Sequence, residues 1–63
     1  MLKGIVSGID ILVLMDQPGL SGAWLGVLQK GDPVEIVGRS GFYTKVKFED
    51  TEGYVRSRFV MEV

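Results

Sequence analysis

From Gly31 to Val60 the chain reads GDPVEIVGRSGFYTKVKFEDTEGYVRSRFV, and its apolar positions fall into three short alternating runs. Ser40-Gly41 and Glu49-Asp50-Thr51-Glu52-Gly53 separate them. Period-two alternation broken by polar and glycine clusters predicts antiparallel strands joined by tight turns. Val34 and Ile36, with Val37, form a strand that runs into a turn over Gly38 to Gly41. In the next strand Thr44, Val46 and Phe48 share one face, and Tyr43, Lys45 and Lys47 share the other. Gly53 to Arg56 is the return strand, with Val55 inward and Tyr54 and Arg56 outward, since successive strand side chains point to opposite faces. Ser57-Arg58-Phe59 has the length of one 3-10 turn. Val60 to Val63 closes the chain as a strand that can pair with the N-terminal one.

The first half is less regular. Leu2 to Val6 reads as an edge strand. Ile9 to Met15 is extended and apolar on both faces, with Ile9, Ile11 and Val13 pointing one way and Asp10, Leu12 and Leu14 the other. Placing Ile11 and Val13 inward leaves Leu12, Leu14 and Met15 as an apolar strip on the outer face. Asp16-Gln17-Pro18-Gly19 is a turn, in which proline sets φ at one corner and glycine relieves the next. The loop continues through Leu20 to Gly22, and Ala23 to Gln29 alternates only loosely. Nine glycines and two prolines leave little room for a helix of three turns. The expectation is one all-β domain over residues 1–63, a small five- to six-stranded barrel with one short 3-10 turn. Its core should centre on Val13, Leu28, Val34, Ile36, Val46 and Val55, with Ile11 and Phe48 at the edges and Trp24 buried beneath the loop.

Composition narrows the chemistry. The chain has neither cysteine nor histidine, so it has no disulfide staple, no Cys/His metal site and no Cys–His or Ser–His nucleophile pair. The acidic cluster Glu49-Asp50-Thr51-Glu52 sits at a hairpin tip, where it serves solubility; no metal or cofactor is implied. Seven basic against eight acidic side chains give a net charge of −1. That lacks the basic footprint of a nucleic-acid binder. Yet Arg39, Lys45, Lys47, Arg56 and Arg58 all follow residue 38, which allows a local basic patch and leaves a nucleic-acid-binding small barrel as the weaker alternative function. The apolar share of 46% is high for 63 residues. Either the core is unusually complete or a partner covers part of the surface. The longest apolar run, Ile11 to Met15, is too short to span a membrane. No signal-peptide pattern follows Met1. The expected compartment is the cytoplasm for a free-standing chain, and the cell wall or exterior for a domain excised from a larger secreted protein.

Gly26-Val27-Leu28-Gln29-Lys30-Gly31-Asp32, then Gly41-Phe42-Tyr43-Thr44-Lys45-Val46, then Gly53-Tyr54-Val55-Arg56-Ser57-Arg58-Phe59-Val60 follow one another in a fixed order. Together with Ile11-Leu12-Val13-Leu14 and the Gln17-Pro18-Gly19 loop, this layout resembles Src-homology-3-like barrels, and the bacterial (SH3b) type most closely. The resemblance implies a non-catalytic binding or docking module for a peptide, a cell-wall peptide or a protein surface. It also implies a binding face built from Tyr43, Tyr54, Arg56, Arg58 and Phe59. The chain departs from the eukaryotic readers of proline-rich segments. Its first strand has no tyrosine, Tyr43 stands at the tryptophan position, and Arg56-Ser57-Arg58-Phe59 lacks the proline of the usual turn.

Two other classes of function stand beside the module. A self-associating assembly domain would use Leu12, Leu14 and Met15 as its contact and form a homo-oligomer. A pore-forming barrel enzyme of the type II dihydrofolate reductase kind would need a Val-Gln-Ile-Tyr motif. The nearest string here is Val34-Glu35-Ile36-Val37, which lacks both the glutamine and the tyrosine.

Overall fold

A computed structural model describes residues 2–19 and 22–63. It contains strands β1 (Leu2–Val6), β2 (Ile11–Met15), β3 (Trp24–Gln29), β4 (Pro33–Ser40), β5 (Tyr43–Phe48) and β6 (Thr51–Arg56), a 3-10 turn (Ser57–Phe59) and β7 (Val60–Glu62). The strands form one antiparallel sheet in the order β3-β2-β6-β5-β4-β1-β7. The domain is therefore all-β, with seven strands rather than the expected five or six, because short β7 and loosely alternating β3 both find full partners. β7 pairs with β1 as the closing strand, through Gly4–Glu62, Ile5–Met61 and Val6–Val60. β1 is not an edge, since its other side pairs with β4.

The sheet coils upon itself. Val6 of β1, Leu28 of β3 and Val55 of β6 belong to one buried cluster, which a flat sheet of this strand order could not assemble. The end of β1 is tied to the turn between β3 and β4: the Val6 N–H donates to the Asp32 carbonyl at 3.0 Å, and the Gly31 N–H donates to the Val6 carbonyl at 2.8 Å. The Ser7 N–H donates to the Phe59 carbonyl and fixes the 3-10 turn against the same end.

Inside the coil lie Val6, Leu12, Leu14, Leu28, Val34, Ile36, Val46 and Val55, all buried, with Phe48, Phe59, Val60 and Ile9 packed at the margin. The phases expected for β4, β5 and β6 agree with this set. The phase of β2 is the reverse of the expected one. Leu12 and Leu14 are 4% and 2% exposed, Val13 is half-buried, and Ile11 is 59% exposed. Both faces of this strand are apolar, so alternation alone cannot choose between them. Pairing with β3 does: Leu12 lies opposite Leu28 and Leu14 opposite Gly26, which puts both leucines on the face that Leu28 buries. Leu12 and Leu14 are thus core residues and do not form an outer contact strip.

Trp24 is corrected too. It is 72% exposed, because it stands opposite Met15 on the outer face, next to a register shift between Leu14 and Met15. Val6 is a core residue that the sequence pattern hid, since its inward neighbour in the strand is Gly4, which adds no apolar signal. The Asp16 N–H donates to the Ala23 carbonyl, and the Ala23 N–H donates to Asp16 Oδ1 at 2.7 Å, closing the neck of the loop between β2 and β3. The part of that loop expected at Leu20 and Ser21 lies outside the described residues. The expected turn over Gly38 to Gly41 begins later. β4 continues to Ser40 through a register shift between Ile36 and Gly38, and Gly41 with Phe42 makes the turn.

Candidate binding groove

Gly53 sets the crossing on which the groove depends. A Cβ at this position would lie 2.6 Å from the Met15 carbonyl oxygen and 2.8 Å from Leu14 Cγ. Only a glycine lets β2 lie this close to β6. The register between the two strands is a single pair, Met15 with Tyr54. Beyond it they diverge, and an open groove of about 210 Å³ fills the gap. One wall is the outer side of β2, Ile11, Val13 and Met15, together with Ile9 just ahead of the strand. The other wall is Tyr43, Tyr54, Arg56 and Phe59, and the inward Leu12 and Val55 contribute to the lining.

Strand register brings the aromatic wall together. Tyr43 stands opposite Arg56 and Lys45 opposite Tyr54, so Tyr43, Lys45, Tyr54 and Arg56 share the outer face. The Arg56 guanidinium carbon lies 5.8 Å from the centre of the Tyr43 ring, and that of Arg58 lies 5.4 Å from the centre of the Phe59 ring. Both distances are within cation–π range. The base of this wall is fixed by a partly buried hydrogen bond of 2.7 Å between the hydroxyls of Thr44 and Ser57, and by the Ser57 N–H donating to the Phe42 carbonyl at 2.9 Å. The start of the 3-10 turn, and with it Phe59, is thereby pinned to β5.

Of the five residues expected at a binding face, Tyr43, Tyr54, Arg56 and Phe59 line the groove, and Arg58 flanks it through Phe59. From the expected association strip only Met15 reaches the surface, and it lies in the same groove. Ile9, Ile11 and Val13 are the wall residues that sequence reasoning missed. Correct phasing of β2 would have found them.

The charges are not a continuous basic patch. Lys45 pairs with Glu52 at 3.6 Å, and Arg39 pairs with Glu62 at 3.3 Å. Lys47 stands across from Glu35 on one side and Glu52 on the other. Among the described residues, Arg56 and Arg58 make no salt bridge with a carboxylate. No group of three or more metal-ligating side chains occurs among the described residues, the hairpin tip included. Among the described residues no helix is long and apolar enough to cross a membrane.

A coiled, seven-stranded all-β sheet with a groove walled on one side by Tyr43, Tyr54, Arg56 and Phe59 is a small barrel. The chain matches the family described as bacterial SH3 domain over residues 16–61, and it belongs to that family. It is thus a small binding or docking module in the general sense of that family, whose members are typically non-catalytic. No curated protein and no solved structure gives a match.

Proposed function

We propose that the domain docks an extended peptide segment, free or on a protein surface, along the groove between β2 and β6. The segment would present an apolar side chain beside one or more carboxylates. The observation that carries this reading is the composition of the two walls. Ile9, Ile11, Val13 and Met15 offer apolar contact, while Arg56 stands on the opposite side with Arg58 beside it over Phe59, neither in a salt bridge among the described residues. Aromatic and arginine side chains supply most of the binding energy at protein interfaces.

Main-chain geometry supports an extended ligand. The Ser57–Phe42 hydrogen bond sets the alternation along β5 and β6, so the main-chain groups of Tyr54 and Arg56 face β2. Past Tyr54 the ladder to β2 has ended, and the Arg56 groups border the groove. A polyproline helix fits less well, because an aliphatic wall stands where the proline-rich readers place tyrosines. A cell-wall stem peptide, short and rich in carboxylates, fits the same chemistry. Nucleic acid does not, because Lys45 and Lys47 are matched by Glu52 and Glu35.

Calorimetric titration with an acidic–apolar peptide, a cell-wall stem peptide and a proline-rich peptide tests the reading. The first two should bind weakly and lose affinity with added salt, since an exposed ion pair is screened. Tyr43→Ala and Arg56→Ala should each weaken that binding by about tenfold, a typical cost of truncating a contact at the threshold of a hot spot. Tight binding of the proline-rich peptide alone, unaffected by Arg56→Ala, would refute it.

A further inference from the structure

The two ends of the sheet are unlike. β7 is three residues long, and its Glu62 is held by Arg39. β3, at the other end, is Trp24-Leu25-Gly26-Val27-Leu28-Gln29, with no charged residue and no proline. Its neighbour β2 is also free of charge. Proteins normally protect an open edge with a short strand, a lysine, a proline or an inward charge. β7 follows that rule. β3 has only the irregularity opposite Met15.

The open edge has free main-chain groups. The Lys30 N–H donates to the Asp10 carbonyl at 3.0 Å. Alternation along the antiparallel pair then turns the main-chain groups of Leu28 and Gly26 toward β2 and those of Val27 off the edge. Gln29 is already occupied, because its N–H donates to Asp32 Oδ2 and its carbonyl accepts from the Asp32 N–H. The free stretch is therefore Leu25 to Val27. Trp24, Leu25 and Val27 are 72%, 46% and 52% exposed beside it.

We propose that the domain forms a twofold homodimer by antiparallel pairing of β3 with β3 of a second copy. An uncharged strand meets its own copy without repulsion, whereas a charged partner strand finds no opposite charge on it. A twofold axis near Gly26 sets Leu25 against Val27 twice and places no side chain on the axis. The three apolar side chains expose on the order of 300 Å², as large as the biggest patch on many monomers. That is less than the roughly 800 Å² per partner of a standard stable interface. The dimer is accordingly weak and concentration-dependent. β2 lies between this edge and the groove, so the dimer keeps both grooves open and can hold a repeated ligand at two points.

Sedimentation velocity over a concentration series from micromolar to millimolar tests the proposal, with hydrogen exchange of the amides read in parallel. The expected result is a monomer–dimer equilibrium in which the Val27 amide gains protection as concentration rises. Val27→Lys should weaken the dimer about tenfold, since the two lysines would lie diagonally across the twofold axis, close enough to repel, and each would replace the apolar partner of Leu25. Val27→Glu alone should do the same, and an equimolar mixture of the two variants should recover dimerisation. The recovery is a gain that a merely misfolded variant could not produce. A strict monomer at millimolar concentration would overturn the proposal. So would a dimer whose Val27 amide exchanges as fast as in the monomer, or a Val27→Lys variant that dimerises like the parent.

Discussion

Gly53 shows how a single missing side chain shapes the molecule. Met15 and Leu14 come within 3 Å of where its Cβ would stand, and a backbone carbonyl cannot move aside cheaply. Gly53→Ala should therefore cost about 1–3 kcal/mol through overpacking. It should also push β2 away from β6, which widens the groove. Urea denaturation checks the first effect; an unchanged midpoint would mean that β2 does not lie against Gly53. Glu49 is the opposite case. It sits at the β5–β6 hairpin tip with φ of 55°, the left-handed region that favours glycine. Glu49→Gly should raise stability by about 0.5–1 kcal/mol, the relief of strain exceeding the entropy lost with glycine. Thermal melting would show it as a higher transition temperature, and a lower one would contradict the account. The sequence marks Gly53 as a strand-start glycine. It cannot show what approaches it, because Leu14 lies 39 residues away in the chain.

Among the elements, β2 decides both the core and the site. With Leu12 and Leu14 buried and Ile11 exposed, Leu14→Ala should cost about 3–5 kcal/mol, including the cavity it leaves. Ile11→Ala should cost far less. That asymmetry, measured by denaturant unfolding, is a direct test of the strand's phase, and equal costs would reverse it. β4, β5 and β6 could be phased from sequence because polar side chains occupy one face: Glu35 in β4, Lys45 and Lys47 in β5, Glu52, Tyr54 and Arg56 in β6. Five consecutive apolar residues in β2 carry no such mark, and only the register with β3 separates core from groove. Trp24 was unreadable for a related reason. A tryptophan is usually worth burying, but the irregularity at Leu14–Met15 holds this one on the outer face.

For the whole molecule, the aromatic wall was legible from motif order, since Tyr43, Tyr54, Arg56 and Phe59 follow glycines at spacings that fix their strands. The facing wall was not, because Ile11 and Val13 read as inward positions; of the expected apolar strip only Met15 lies along the groove, while Leu12 and Leu14 belong to the core. The central claim is that this groove is the working surface. The most direct test is an amide NMR titration of the domain with an acidic–apolar peptide. The account predicts shifts that cluster on Ile11, Val13, Met15, Tyr43, Tyr54, Arg56 and Phe59 and leave the far side, around Leu2 and Val37, unmoved. Shifts confined to the far side, or to β3 alone, would contradict it.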